Sequence, residues 1–317
     1  MSFSDQPVIS VVVAIVSDTT EQRADVSHLV GCLEALARQA DAPPTEVIVP
    51  YHQNTDGIEQ LKERFPKVTF LPLTGVDVSS NGGGREHHDV LRARGMVAAR
   101  GDLIALLEDH ARPAEHWSAN IVAAHRVGYA AIGGAIENDI DRPLNWAVYY
   151  CDFGKYQNPL PSGESDFASD ANTSYKRAAL ESVRALWDQS FREVVVNGAL
   201  IARGEKVALR PEIVVYQHRD GLRLGTAVRE RYIWGRSYAV TRCQLLSNSK
   251  RLFYAALSPV LPAVMLIRVA QTAWQRRKRF GKFVGGLHYV VILLASWSFG
   301  EAIGYFTRAL PRARPAS

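Results

Sequence analysis

Within the first 110 residues, short runs of β-branched apolar side chains alternate with longer segments whose apolar residues recur every three or four positions. The runs are VISVVVAIV (8–16), TEVIVP (45–50), VTFLPL (68–73) and DLIALL (102–107). A run with no polar face must be covered on both sides, which is the condition of a strand inside a parallel sheet. The segments between them, residues 24–39, 57–65 and 86–100, read as helices. In the first, Val26, Leu29, Val30, Leu33 and Leu36 share one face. Strand and helix in alternation predict an α/β fold with a doubly wound, mainly parallel sheet. Such sheets bind ligands beyond the carboxyl ends of their strands, so the polar residues following the runs carry the functional interest. A hydrophobic share of 47% suffices to bury the core that this fold requires.

Beyond residue 110 the pattern loosens. Residues 115–126 read as a helix and 129–138 as a strand. Gly133 and Gly134 inside that strand predict a close approach of another backbone. Residues 139–170, with Pro143, Pro159, Pro161 and Gly163, read as loop. Helical patterns return at 176–187 and 194–203, residues 206–218 read as extended, and 223–245 as helical. The glycine-rich stretch 79–85 lacks the Gly-Lys-Ser/Thr of a phosphate-binding P-loop and reads as a spacer or lid. His87 and His88 have no third ligand at a metal-binding spacing.

The formal net charge of +5 is unevenly spread. Lys250, Arg251, the run Arg276–Arg279, Arg308, Arg312 and Arg314 gather at the end of the chain, beside two apolar segments at 252–274 and 284–307. Apolar faces flanked by basic residues predict contact with an anionic membrane surface, and no nucleic-acid motif accompanies the charge. The first segment holds Pro259, Pro262 and Arg268, and the second His288 and Glu301, so neither is a clean apolar span. Were both to span, the basic linker 275–282 would lie across the bilayer from the main domain. A shallow, interfacial helical anchor avoids that; spanning helices stay the alternative, and a helical pair packed on the core or on a partner subunit is the reading without a membrane. The chain therefore divides into residues 1–245, the α/β domain, and 246–317, the helical membrane-associated segment. Three widely separated cysteines, Cys32, Cys151 and Cys243, predict free thiols in a reducing compartment. The N-terminus has no signal-peptide pattern. Together these place the chain on the cytoplasmic face of the inner (plasma) membrane.

Three groups suited to chemistry follow the fourth run: Glu108, Asp109 and His110. Carboxylates and imidazole at a strand end can hold Mn²⁺ or Mg²⁺; equally, acids are common where a strand runs out into a loop. The surroundings resemble family 2 glycosyltransferases of the GT-A fold. LLEDHARPAEHW (106–117) is similar to that family's acidic element with its following proline and tryptophan, here Pro113 and Trp117. LRARGMVAARGD (91–102) resembles its donor-side helix, with Arg92 in place and Ala93 replacing an asparagine. SVVVAIVSD resembles its first strand, with Ala14 where a proline is usual. EVIVPYHQNTDG (46–57) resembles the second, with Tyr51 and His52 replacing acids, one of which reads the base. SDANTSYKRAAL (169–180) looks like an acceptor-side segment, with Asn172 in place. LWDQSFREVVVNGALIARG (186–204) resembles the stretch that carries the base, with Glu193 kept and Val194 replacing an aspartate. PEIVVYQHRD puts His218 at a strand end, and RERYIWGRSYA (229–239) is similar to a basic-aromatic helix that closes over the site.

The resemblance implies transfer of a sugar from a UDP- or GDP-linked donor, with inversion, to a lipid-linked or envelope-glycan acceptor. It implies metal binding by Glu108 and His110, and donor contacts from Ala14, Tyr51, Arg92, Glu108 and Asp109. The catalytic base that the resemblance implies is Glu193, with Asp188 as second candidate. Asn172, Trp187, His218, Arg229 and Arg231 fall on the acceptor or phosphate side. The rival expectation is a non-catalytic scaffold or partner subunit of the same fold. A nucleotidyltransferase would need a glycine-rich, lysine-bearing loop after the first strand, which IVSDTTEQR is not.

Overall fold

The computed structural model describes residues 6–17, 26–53, 55–73, 86–243 and 246–307. The glycine-rich stretch 79–85 and the terminal arginines at 308, 312 and 314 lie outside them.

The alternation becomes β1 (Ile9–Ala14), α1 (Ser27–Ala37), β2 (Thr45–His52), α2 (Ile58–Arg64), β3 (Val68–Leu73), α3 (Glu86–Ala98) and β4 (Leu103–Glu108). Then come β5 (Ala111–Pro113), α4 (Trp117–His125), β6 (Ala131–Asn138), α5 (Pro143–Asp152), β7 (Gly163–Glu164), β8 (Asn172–Lys176), α6 (Arg177–Glu181), α7 (Glu193–Ala202) and β9 (Val207–Gln217). Four helices follow: α8 (Leu224–Cys243), α9 (Asn248–Leu257), α10 (Leu261–Gln275) and α11 (Phe280–Thr307). The strands form one sheet in the order β3-β2-β1-β4-β8-β6-β9-β5, with β7 also against β9. From β3 to β4 all neighbours run parallel. Strand β8 is antiparallel to both β4 and β6, and β6 and β9 are parallel.

Every residue of β1 is buried, as a central strand covered on both faces must be. Its alternation divides the core. Ile9, Val11 and Val13 face a cluster built with Leu29, Leu33, Trp117 and Ile121. Val12 faces the other side, with Met96, Tyr175, Trp187 and Phe191. Gly134 behaves as its setting in a strand predicts: a Cβ there would collide with the Ile213 carbonyl. The β6–β9 register slips at that point, from Gly134↔Arg210 to Ala135↔Val214, so β9 bulges around Pro211.

Two expectations need correction. Residues 139–170 are not mostly loop, because α5 occupies 143–152. Pro143 sits in its first turn, where a missing N–H costs nothing. Leu144 to Tyr150 are buried on every side, so the helix shows no amphipathic period. Residues 176–187 are not one helix: β8 ends at Lys176, α6 is five residues long, and a 3₁₀ turn covers Arg184–Leu186. Strand β8 (NTSYK) was hidden by its polar residues, which are satisfied inside the sheet: Thr173 Oγ1 donates to the Ile132 carbonyl at 3.3 Å.

The C-terminal helices complete a third core. Phe283, Val290 and Leu293 of α11 pack with Leu144, Trp146 and Val148 of α5 and Ala227 of α8. Along α8 and α11 the backbones meet through glycines: a Cβ on Gly235 would strike the Trp297 carbonyl, and one on Gly300 the Tyr232 carbonyl. The basic linker 275–282 packs on the main domain, with Arg279 on Glu137 and Lys282 on Asp141, both at 2.6 Å. This excludes the arrangement that would put linker and domain on opposite sides of a bilayer. By length and composition alone, α11 with its preceding turn is apolar enough to cross a membrane, and 39% of its most apolar window is buried in the protein. Helices α9 and α10 meet at a 68° bend.

Candidate active site

The parallel strands deliver their exits to one place. Strand β1 ends beside β4, with Ala14 opposite Glu108, and the Asp109 N–H donates to the Ala14 carbonyl at 3.0 Å. Asp109 is wholly buried. Its carboxylate accepts the Val16 N–H at 3.2 Å and the Ser17 hydroxyl at 2.5 Å, and lies 3.2 Å from His110 Nδ1. Burial alone would raise its pKa, but those bonds and the imidazole hold the carboxyl below its usual range. With Nδ1–H given to Asp109, His110 presents the Nε2 lone pair outward. That atom stands 3.4 Å from Glu108 Oε2. Two electron-pair donors this close call for a cation or proton between them. Donors sharing a cation at about 2.1 Å are themselves about 3.0 to 3.4 Å apart. The pair therefore fits one edge of a small divalent ion's shell, and the imidazole favours Mn²⁺. Among the described residues no three His, Cys, Asp or Glu side chains group to hold a metal.

Arg92 gathers the acids. Its side chain is buried, and Nη2 lies 3.1 Å from both Glu108 Oε1 and Asp170 Oδ2. One guanidinium thus ties the end of β4 to the approach to β8. Among the described residues its Nε and Nη1 make no hydrogen bond, Nη1 lying 3.9 Å from Asp89 Oδ1.

Glu108, His110, Arg92 and Asp170 line a cavity of about 200 Å³, and Glu193 lines it too. Glu193 opens α7, where a carboxylate suits the helix dipole. Lys155 and Tyr156 come from the turn after α5, and Glu230 and Trp234 from α8. The Lys155 ammonium sits 4.9 Å from the Tyr156 ring centroid and 4.7 Å from that of Phe167. Burial lowers its pKa, against the opposing charges of Glu193 and Asp166.

Other residues singled out in the sequence lie off this cavity. Ala14 is fully buried in β1. Tyr51 is buried at the end of β2, its ring 5.6 Å from the Lys62 ammonium. Asn172 braces the bulge: it accepts from Trp117 Nε1 at 2.9 Å and donates to the Ala135 and Ile213 carbonyls at 2.8 and 2.9 Å. Trp187 is core, donating to the Leu180 carbonyl. Asp188 is not among the lining residues. His218 bonds Asp139 at 2.5 Å, and its backbone N–H donates to the His110 carbonyl, so it steadies the turn that carries His110 from behind. Arg229 is exposed, and Arg231 is buried against Asp152.

Asp170, Lys155, Tyr156, Glu230 and Trp234 were not singled out from the sequence. Asp170 lies two residues before Asn172 in a segment already marked, and its acidity was the available signal. The others come from a turn and a helix face whose direction only the tertiary packing sets.

No family model matches the chain, and no curated protein matches it in sequence. Among solved structures, the mannosyltransferase PcManGT from Pyrobaculum calidifontis, in complex with GDP-Man and Mn²⁺, aligns over 95% of this chain and 88% of its own, at 13% identity and TM-score 0.54. S. aureus TarS 1-349 in complex with UDP-GlcNAc aligns over 92% of both chains, at 13% identity and TM-score 0.48. The architecture is a mixed α/β fold with a mainly parallel central sheet, similar to that of GT-A-like glycosyltransferases.

Proposed function

We propose that the chain is a glycosyltransferase that moves a sugar from a UDP- or GDP-linked donor to an acceptor hydroxyl, with inversion. The observation that carries this reading is the shared cavity: Glu193 and the Glu108/His110 edge wall one space at the carboxyl ends of the parallel strands. The complex of the similarly folded mannosyltransferase with GDP-Man and Mn²⁺ supports a nucleotide-sugar donor and a divalent ion here. Glu108 and His110 would hold the ion. Bound there, it would stabilise the charge of the departing diphosphate.

The chain's own groups do the rest. Arg92 keeps Glu108 and Asp170 in place, and Asp109 fixes the His110 ring. Glu193 takes the proton from the acceptor hydroxyl as its oxygen attacks the anomeric carbon. The bond from that carbon to the phosphate oxygen breaks, and its electron pair leaves with the diphosphate. In this reading residues 246–317 hold the protein at the cytoplasmic face of the membrane, beside a lipid-linked or envelope-glycan acceptor.

A panel of nucleotide sugars assayed for hydrolysis and transfer tests the proposal. Glu193→Gln should lower turnover by about 10²- to 10⁴-fold while UDP or GDP still binds by calorimetry. Full turnover in that variant removes Glu193 from the mechanism. Absence of binding by either nucleotide with Mn²⁺ favours a non-catalytic scaffold.

A further inference from the structure

The basic turn between α10 and α11, Arg276 to Arg279, has two sides. Arg276 and Arg279 face inward and are half-buried. Arg276 donates to the carbonyls of Pro159 and Lys155, the latter at 3.5 Å. Arg279 binds Glu137 Oε2 at 2.6 Å, and its carbonyl accepts the Tyr150 hydroxyl at 2.8 Å. The other oxygen of Glu137 accepts the Asn158 N–H at 2.9 Å. Arg276 thus grips Lys155 and Pro159 directly, while Arg279 holds Tyr150 directly and Asn158 through Glu137, all within the segment that puts Phe153, Lys155 and Tyr156 on the cavity wall.

The outward side is different in kind. Arg277 and Lys278 are exposed, and the Arg277 guanidinium lies 4.9 Å from the ring centroid of Trp274, which is itself 54% exposed. Beside this turn, Val264 and Ile267 on α10 and Val284, Leu287 and Val291 on α11 are also exposed. Each set follows helical spacing, so each forms a stripe along its helix. Cations, a tryptophan and apolar stripes around one turn fit the headgroup boundary of an anionic bilayer.

We propose that this turn docks on anionic lipid and, through Arg276 and Arg279, orders the cavity segment 153–160. Fixing the outer side removes freedom from the inner side, and the segment that Arg276 grips loses freedom with it. The inference deepens the transferase reading, because the ordered segment borders Glu193. Its test needs no substrate, so it stands or falls separately.

The full-length protein is sedimented with vesicles of phosphatidylcholine plus phosphatidylglycerol, and with phosphatidylcholine alone. Hydrogen exchange is read across residues 153–160 in each. Binding is expected on the anionic vesicles only, with exchange at 153–160 slowed by about threefold or more. Arg277→Gln with Lys278→Gln should lose binding to the anionic vesicles. Arg276→Gln should bind them as wild type does, without the slowing. Should that variant lose thermal stability, Arg276→Lys, which keeps the charge but not the forked reach, carries the same comparison. Binding without slower exchange in the wild type overturns the coupling. Equal binding to both vesicles, or none, overturns the docking.

Discussion

Single side chains in this protein are set by what surrounds them more than by their type. His125 is buried on α4, with Nε2 2.9 Å from the Ser174 hydroxyl. Burial, aided by the charge of Lys176, lowers its pKa from 6.5 to about 4. The unfolded chain therefore takes up a proton that the folded one refuses, so stability is complete above the unfolded value and falls as pH drops from 6.5 toward 4. The loss is on the order of 3 kcal/mol. Urea unfolding at about pH 7 and about pH 4.5 should show it, and His125→Gln should flatten the difference. Asn172 carries a related lesson. Its place in the chain suggested an acceptor contact, and its side chain instead braces the β9 bulge and Trp117. Glu108 and His110 were legible because a polar pair directly after a buried strand has few places to go. Arg92 was marked on its helix, but its clamp on Asp170 depends on a segment reached almost 80 residues later.

At the scale of elements, the first half of the sheet was readable because β1 and β4 are continuous apolar runs, as strands covered on both faces are, and because β2 and β3 alternate with helices at the edge of the same sheet. VTFLPL coincides with β3. Recognition failed where burial came from outside the pattern. Helix α5 is apolar all round because it lies between the sheet and α11, and β8 is polar because its hydroxyls find carbonyls within the sheet. The seam between α8 and α11 was equally hidden, since its glycines mean something only once the helices are side by side. Gly235→Leu should part them, costing about 1 to 3 kcal/mol by overpacking. Because α8 also carries Glu230 and Trp234 into the cavity, thermal denaturation and nucleotide affinity should fall together.

Across the whole molecule, charge is sorted by region. The chain is net basic, yet five carboxylates line the cavity (Glu108, Asp152, Asp170, Glu193 and Glu230) against three basic side chains, Arg92, Lys155 and Arg219, with Arg231 behind Asp152. A diphosphate entering this space meets net repulsion unless a divalent ion comes with it. Nucleotide affinity should therefore collapse in EDTA and return with Mn²⁺, as calorimetry with UDP and GDP will read. Metal-independent binding of equal strength would contradict this balance.

The third core has a bearing on how the protein is made. Helices α5 and α8 leave the ribosome well before α11, which fills the space between them. While α11 is still being translated, the nascent chain can complete its sheet, but not the wall that Trp234 contributes. The cavity wall is therefore completed last, in the same step that delivers the exposed apolar residues of α11.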